Sequence, residues 1–301
     1  MTSEPDEYDI FLQTWEPSER LIHACLPQNL HDPFSRKRLF KDSTGSAPVA
    51  RTPFNAGHKV MADDESIVRA YDFFKNKQAC WSAHFRDYVL KKNVPSSKLD
   101  IFVTSFSKLW IDGMKRRQDS PEMQAIKASI RDYDHLYYPD DAGRFVINPI
   151  NNTIEPLFTP DEMAEIFNAN DGLISALMPD YIDCLEVEGP SSLDDLYVRR
   201  GVFMPSVGKF RQELNYLSSY SLTLGPVEQF AKTWSPETKD VGKPRIFSAP
   251  LPAIQRRIVA FAPFIEGMDL RQLEFVIAPP VEETPLQYDG EHGGIHEYSF
   301  D

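Results

Sequence analysis

Three short segments of the C-terminal half carry side chains that could act together on an anionic small ligand. Leu196-Tyr197-Val198-Arg199-Arg200-Gly201 is an apolar, strand-like run that ends in two guanidinium groups and a glycine. Leu217-Ser218-Ser219-Tyr220-Ser221-Leu222 alternates hydroxyls and leads into Val227-Glu228-Gln229-Phe230-Ala231, which reads as a short helix. Gln272-Leu273-Glu274-Phe275-Val276-Ile277-Ala278-Pro279 sets a polar residue and a carboxylate two apart, ahead of an apolar strand and a Pro turn. A guanidinium offers a paired fork of donors to phosphate oxygens. A fixed carboxylate steadies positive charge that develops beside it. Singly, each residue has a plainer reading: Arg200 as a surface ion pair, Ser219 and Ser221 as hydroxyls on an edge strand, Glu274 as an acid at a strand end.

The elements that must hold these residues are legible in outline. Past Gly189-Pro190, short β-type runs follow one another: 196–198, 245–247, 257–261, 273–277 and 294–300. Pro and Gly punctuate them, and most have no helix between them, which favours antiparallel pairing over a doubly wound parallel sheet. Before that point the chain reads as helical. Asp63-Asp64-Glu65-Ser66 opens a helix whose apolar face runs through Ile67, Ala70, Tyr71 and Phe74 to Trp81, Phe85, Tyr88 and Val89, and Asn93-Val94-Pro95 closes it. Phe102, Phe106, Leu109, Trp110 and Gly113 mark a second helix, and Ser120-Pro121 starts a third with Pro at its first turn. Thr159-Pro160-Asp161-Glu162 is a capping box ahead of Met163, Ile166 and Phe167. The aromatic stripes are read as core packing. Residues 1–60, Pro-rich with scattered Trp15, Phe34, Phe40 and Phe54, are expected to form loops and short helices.

Composition narrows the classes. Of 301 residues, 42% are hydrophobic and 26% charged, which is ordinary for a globular protein, and the formal charge of −13 argues against a nucleic-acid surface. The basic runs Arg36-Lys37-Arg38 and Lys115-Arg116-Arg117 are read as solvated faces. No run approaches the ~18 apolar residues of a membrane span, and the acidic N-terminus lacks the apolar core of a Sec signal. Cys25, Cys80 and Cys184 are odd in number and far apart, which fits a reducing compartment better than a disulfide framework. Asp132, Asp134, His135, Asp140 and Asp141 fit no standard calcium loop and are read as a polar turn, so no metal is expected. Gly-rich dinucleotide fingerprints, Walker loops, nucleophile elbows and His-Glu-x-x-His are absent from the sequence.

In their order, the three segments resemble the mono-ADP-ribosyltransferases of the Arg-Ser-Glu type, the group of the cholera-toxin-like and clostridial binary-toxin-like enzymes and the vertebrate ecto-enzymes. Arg200-Gly201, Ser219-Tyr220-Ser221 and Gln272-Leu273-Glu274 stand in the family's order. Residues 245–263 resemble the intervening strands, and Gly293-Gly294-Ile295-His296-Glu297-Tyr298 the closing one. A second Glu-x-Glu, at Glu186-Val187-Glu188, precedes the Arg strand and is excluded by order. The resemblance spans roughly 155–301. Two departures matter. Tyr220 replaces a small central residue, which leaves Ser219 and Ser221 both open. Arg199 precedes Arg200, and a one-residue slip would turn the other guanidinium to the cleft.

The resemblance implies an α+β protein. Residues 1–150 would be a mainly helical accessory or target-docking region, and 151–301 a catalytic domain with a two-sheet antiparallel β core and flanking helices. It implies NAD as substrate, transfer of ADP-ribose to a protein acceptor and release of nicotinamide. Glu274 would accept the ribose 2′-hydroxyl, Ser219 would orient Glu274, Arg200 and Ser221 would help bind NAD, and Gln272 would face the acceptor. In the family, Gln at this place accompanies acceptors other than arginine, as in the clostridial Rho-modifying exoenzymes. Phe264 could pack on nicotinamide or on the target. Water as acceptor would make the chain an NAD glycohydrolase, and loss of activity would leave an interaction protein of the same fold. Family habit suggests a soluble toxin or effector, cytoplasmic or exported without a Sec signal.

Overall fold

Local signals set the helix ends. The Ser120 hydroxyl caps the helix that begins at Pro121 by accepting from the Met123 N–H at 3.3 Å. At Thr159 the capping box closes both ways: the Thr159 N–H donates to Glu162 Oε2 at 2.8 Å, and the Glu162 N–H to Thr159 Oγ1 at 3.3 Å. Asn93 takes a left-handed φ of 65° just past the first helix, a conformation Asn tolerates better than most residues. A computed structural model describes residues 65–110, 120–139, 153–184, 193, 196–207, 217–222, 227, 230–231, 241–270, 273–280, 285–292 and 295–300, without the side chains of 65–72, 184 and 290–292. Residues 1–60, Gly113, the run Lys115-Arg116-Arg117, Asp140-Asp141 and Gln272 lie outside the described residues.

The described helices of more than one turn are α1 (Glu65–Lys91), α2 (Ser96–Thr104), α3 (Pro121–Tyr137) and α4 (Pro160–Cys184). A π-helical turn, Ser105–Leu109, extends α2. The described strands are β1 (Tyr197–Met204), β2 (Ser218–Ser221), β3 (Lys243–Pro250), β4 (Ile258–Phe261), β5 (Glu274–Ile277), β6 (Gln287–His292) and β7 (Ile295–Ser299). They form one seven-stranded sheet in the order β4-β5-β2-β1-β3-β7-β6. The pairing is antiparallel except between β3 and β7, which run parallel. The expected two-sheet antiparallel core is therefore corrected to a single mixed sheet. The sequence reading did not anticipate β6: Gln287-Tyr288-Asp289-Gly290-Glu291-His292 lacks an apolar alternation because it is an edge strand, with a register shift between Tyr288 and Gly290.

The two faces of the sheet differ. One carries Val198, Tyr220, Phe247, Ala249, Phe275 and Phe300, all in the main hydrophobic cluster. Phe261 stacks on Phe275 at 4.1 Å between ring centroids, and Phe74 of α1 meets Phe261 edge-on at 5.9 Å. That cluster also holds Phe85, Phe102 and Phe106, so the described helices before residue 150 share one core with the sheet. Trp81, Phe85 and Phe261 surround Phe264. Phe264 is thus a core residue, and the expectation that it packs on a ligand is corrected.

A buried ion pair ties α3 to the sheet. Arg257 donates to both carboxylate oxygens of Asp134, at 2.8 and 3.0 Å, and its Nε to the Pro279 carbonyl at 2.7 Å. Asp134 was expected in a polar turn. It instead lies in α3, where burial pushes its carboxyl above the usual carboxylate range despite the opposing pull of Arg257.

Candidate functional site

Cross-strand register brings the candidate side chains together. Glu274 on β5 lies opposite Ser221 on β2, and Ser221 opposite Arg199 on β1. Arg199 lies opposite Ser248 on β3, and Ser248 beside Ser299 on β7. Directly paired residues share a face. One sheet face therefore carries an unbroken polar row, Glu274–Ser221–Arg199–Ser248–Ser299, across five neighbouring strands. Ser219, two residues from Ser221, joins the same face. Further along it, the buried Glu297 carboxylate accepts from the Ser248 hydroxyl at 2.8 Å.

Register also separates the two arginines. Arg200 pairs with Phe247 and so belongs to the aromatic face, half-buried. Arg199, 3% exposed, belongs to the face of Glu274, with its guanidinium over the Tyr197 ring at 5.7 Å. Of the two, Arg199 stands in line with Glu274 and both serines, whereas the sequence reading had favoured Arg200. The glycine that follows has its own cause. A Cβ on Gly201 would lie 1.7 Å from the Val227 carbonyl, so the backbone of the helical segment that includes Val227 and Ala231 lies directly on β1. Val227 and Ala231 form a small apolar cluster with Ile246 and Ile295 on this face.

Glu274 is half-buried and follows a backbone irregularity. Leu273 has a φ of 42°, in the left-handed region that bulky side chains avoid. Such a conformation costs about 1–3 kcal/mol and tends to collect at functional sites. Here the buried Leu273 side chain and its N–H, donated to the Leu270 carbonyl at 3.0 Å, hold it in place. The indole N–H of Trp110 also reaches these residues, 2.8 Å from Glu274 Oε1 and 3.1 Å from Ser219 Oγ. Ser219 and Glu274 are thus linked through a shared donor. Trp110 read as one more member of an aromatic stripe, and the only signal in the sequence is that a buried Trp needs a partner for its N–H. Gln272 lies outside the described residues. Among the described residues, no group of three or more His, Cys, Asp or Glu could hold a metal ion, and no helix is long and apolar enough to cross a membrane.

No protein-family profile and no curated protein sequence matches the chain. Two solved structures are similar to it. One, the ADP-ribosyltransferase Vis in complex with M6 inhibitor, matches over 77% of this chain and 81% of that chain, at 12% identity and a TM-score of 0.32. The other, the Vis toxin, an ADP-ribosyltransferase from Vibrio splendidus, matches over 65% of this chain and 89% of that chain, at 12% identity and a TM-score of 0.24. Likeness this loose carries no argument about the site, whose reading rests on its own residues.

Proposed function

We propose that the chain is an NAD-dependent mono-ADP-ribosyltransferase that acts through the polar row of the sheet. The observation that carries this reading is the alignment of Glu274, Ser221 and Arg199 on three adjacent strands, with Ser219 on the same face. In this reaction the bond between the nicotinamide nitrogen and ribose C1′ breaks, and both electrons leave with nicotinamide. The departing ring already carries positive charge and needs no acid. The barrier lies in the oxocarbenium-like sugar. A carboxylate held beside the ribose can accept the 2′-hydroxyl and steady that cation, which is the part given to Glu274. Arg199 would hold phosphate oxygens of the dinucleotide, and Ser219 and Ser221 would fix the groups between them. An acceptor side chain then attacks C1′ and gives up its proton. Gln272 remains the residue assigned to the acceptor.

The test is incubation of the protein with adenylate-labelled NAD and a cell lysate, beside the Glu274→Ala variant. Label on a discrete protein band, lost in the variant together with about a hundred- to a thousandfold of nicotinamide release, supports the transferase. Nicotinamide release without labelled protein would assign a glycohydrolase instead. If nicotinamide is released by neither protein, the enzymatic reading fails.

A further inference from the structure

We infer that Trp110 is a positioning residue for the Glu274 carboxylate, so that the helical N-terminal part completes the site. This role presupposes that Glu274 faces the ribose, as proposed above. Trp110 lies outside the segment 155–301 that carries the family resemblance, and it reaches the acid across 164 residues of chain. Its N–H lies 2.8 Å from Glu274 Oε1 and 3.1 Å from Ser219 Oγ, and the shorter contact to the carboxylate is the charge-assisted one. Indole donates and cannot accept. It therefore favours the ionised carboxylate and cannot exchange a proton with it. A hydroxyl in the same place could rotate and do either.

The helix that delivers the indole is built for that aim. Ser105 donates its hydroxyl back to the Ile101 carbonyl at 2.7 Å, a bond that loosens and bends helices. From Ser105 the chain widens into the π turn, and the backbone N–H of Trp110 reaches the Ser105 carbonyl at 2.9 Å. Such turns recur at functional sites because the extra residue re-aims the side chains that follow. The ring is 4% exposed and packs against Phe106 at 6.0 Å between centroids. Its direction is fixed by the core. Glu274 and Ser219, by contrast, stay half-buried, so the indole braces the acid from the protein side.

The test uses the full chain and Trp110→Phe, which keeps an aromatic ring in the core and removes the donor. The expected result is a tenfold to hundredfold fall in kcat for nicotinamide release per folded molecule, with KM for NAD within about threefold. The acid limb of the kcat profile should move to higher pH, because the carboxylate loses a donor that favours its charged form. A merely structural tryptophan would lower the melting temperature and leave kcat per folded molecule and the pH profile in place, which would overturn the inference. A rise in kcat would overturn it too, since the indole would then be a plug. A second readout needs no turnover. The chain has four tryptophans, so a nitrogen-15 spectrum resolves four indole N–H peaks, and the one missing in Trp110→Phe is assigned. That peak should titrate with a carboxyl in the parent protein and not in Glu274→Gln. A peak insensitive to Glu274 overturns the present inference whatever the activity. Absent nicotinamide release with a responsive peak overturns the enzymatic reading instead.

Discussion

Replacing each of the two adjacent arginines by lysine separates the geometry of the site from the order of letters in the sequence. Arg199 shares a face with Glu274, Ser219 and Ser221, and Arg200 pairs with Phe247 on the opposite face. Lysine keeps the charge and loses the planar fork. Hydrogen bonds to a charged group contribute about 1.5–3 kcal/mol, so loss of one directed guanidinium–phosphate contact weakens NAD binding by roughly tenfold to more than a hundredfold. Arg199→Lys is expected to show that loss by titration calorimetry, whereas Arg200→Lys should stay within about 0.5 kcal/mol of the parent protein. Arg199 is buried over Tyr197, so thermal melting must accompany the titration. Binding is then compared at equal folded concentration. Lost affinity in Arg200→Lys with an intact Arg199→Lys would refute the register argument. A lower melting temperature in Arg199→Lys with unchanged affinity would make Arg199 a structural ion and remove it from the site.

Three further outcomes follow from the packing. Arg257→Met leaves the Asp134 carboxylate buried without its partner and should cost about 3–5 kcal/mol in urea denaturation, while the double variant Arg257→Met/Asp134→Asn, which removes both charges, should cost less. Asp134 also predicts a pH dependence. Its folded pKa is raised, so its contribution is fully present below the ordinary carboxylate value of about 4 and is lost as pH rises through the raised value; against Asp134→Asn, the parent protein should lose stability over that interval, and a flat difference would refute it. Gly201→Ala drives a methyl into the Val227 carbonyl and should cost about 3 kcal/mol or more, with loss of NAD binding because β1 carries Arg199; a melting temperature equal to that of the parent protein would refute the close approach.

Much of this architecture is written in local signals. The Ser120 cap, the Thr159–Glu162 box and the apolar runs of β1, β3, β4, β5 and β7 are readable because each is decided within a few residues. What was not readable depends on distant partners. Asp134 looks like a turn acid until Arg257, 123 residues away, neutralises it. Trp110 looks like the next step of a stripe through Phe102 and Phe106, because a π turn leaves no mark in hydrophobic spacing. Strand β6 has no apolar face of its own and is held by β7. Glu274 and Ser219 were visible as types in an order, but the indole between them came from outside the segment that carried the resemblance.

The choice between the arginines shows how a site can be fixed from its opposite side. In Val198-Arg199-Arg200 no local preference decides which guanidinium faces which way, since a strand accepts either phase. The aromatic face decides. Val198, Phe247, Tyr220 and Phe275 must all reach the same core, and β3 pairs with β1 along its whole length from Tyr197 to Met204. A slip of one residue would turn Val198 out of that core and exchange Arg200 for Arg199 on that face, at a cost of about 1.5–3 kcal/mol for the lost burial of the valine. By contrast, among the described residues β1 and β2 share a single register pair, Arg199 with Ser221. The site thus straddles the joint of the sheet most lightly paired among the described residues, and its geometry is held by the hydrophobic layer behind it. On this argument, repacking Phe247 or Phe275 would disturb NAD binding through register before it touched any polar atom.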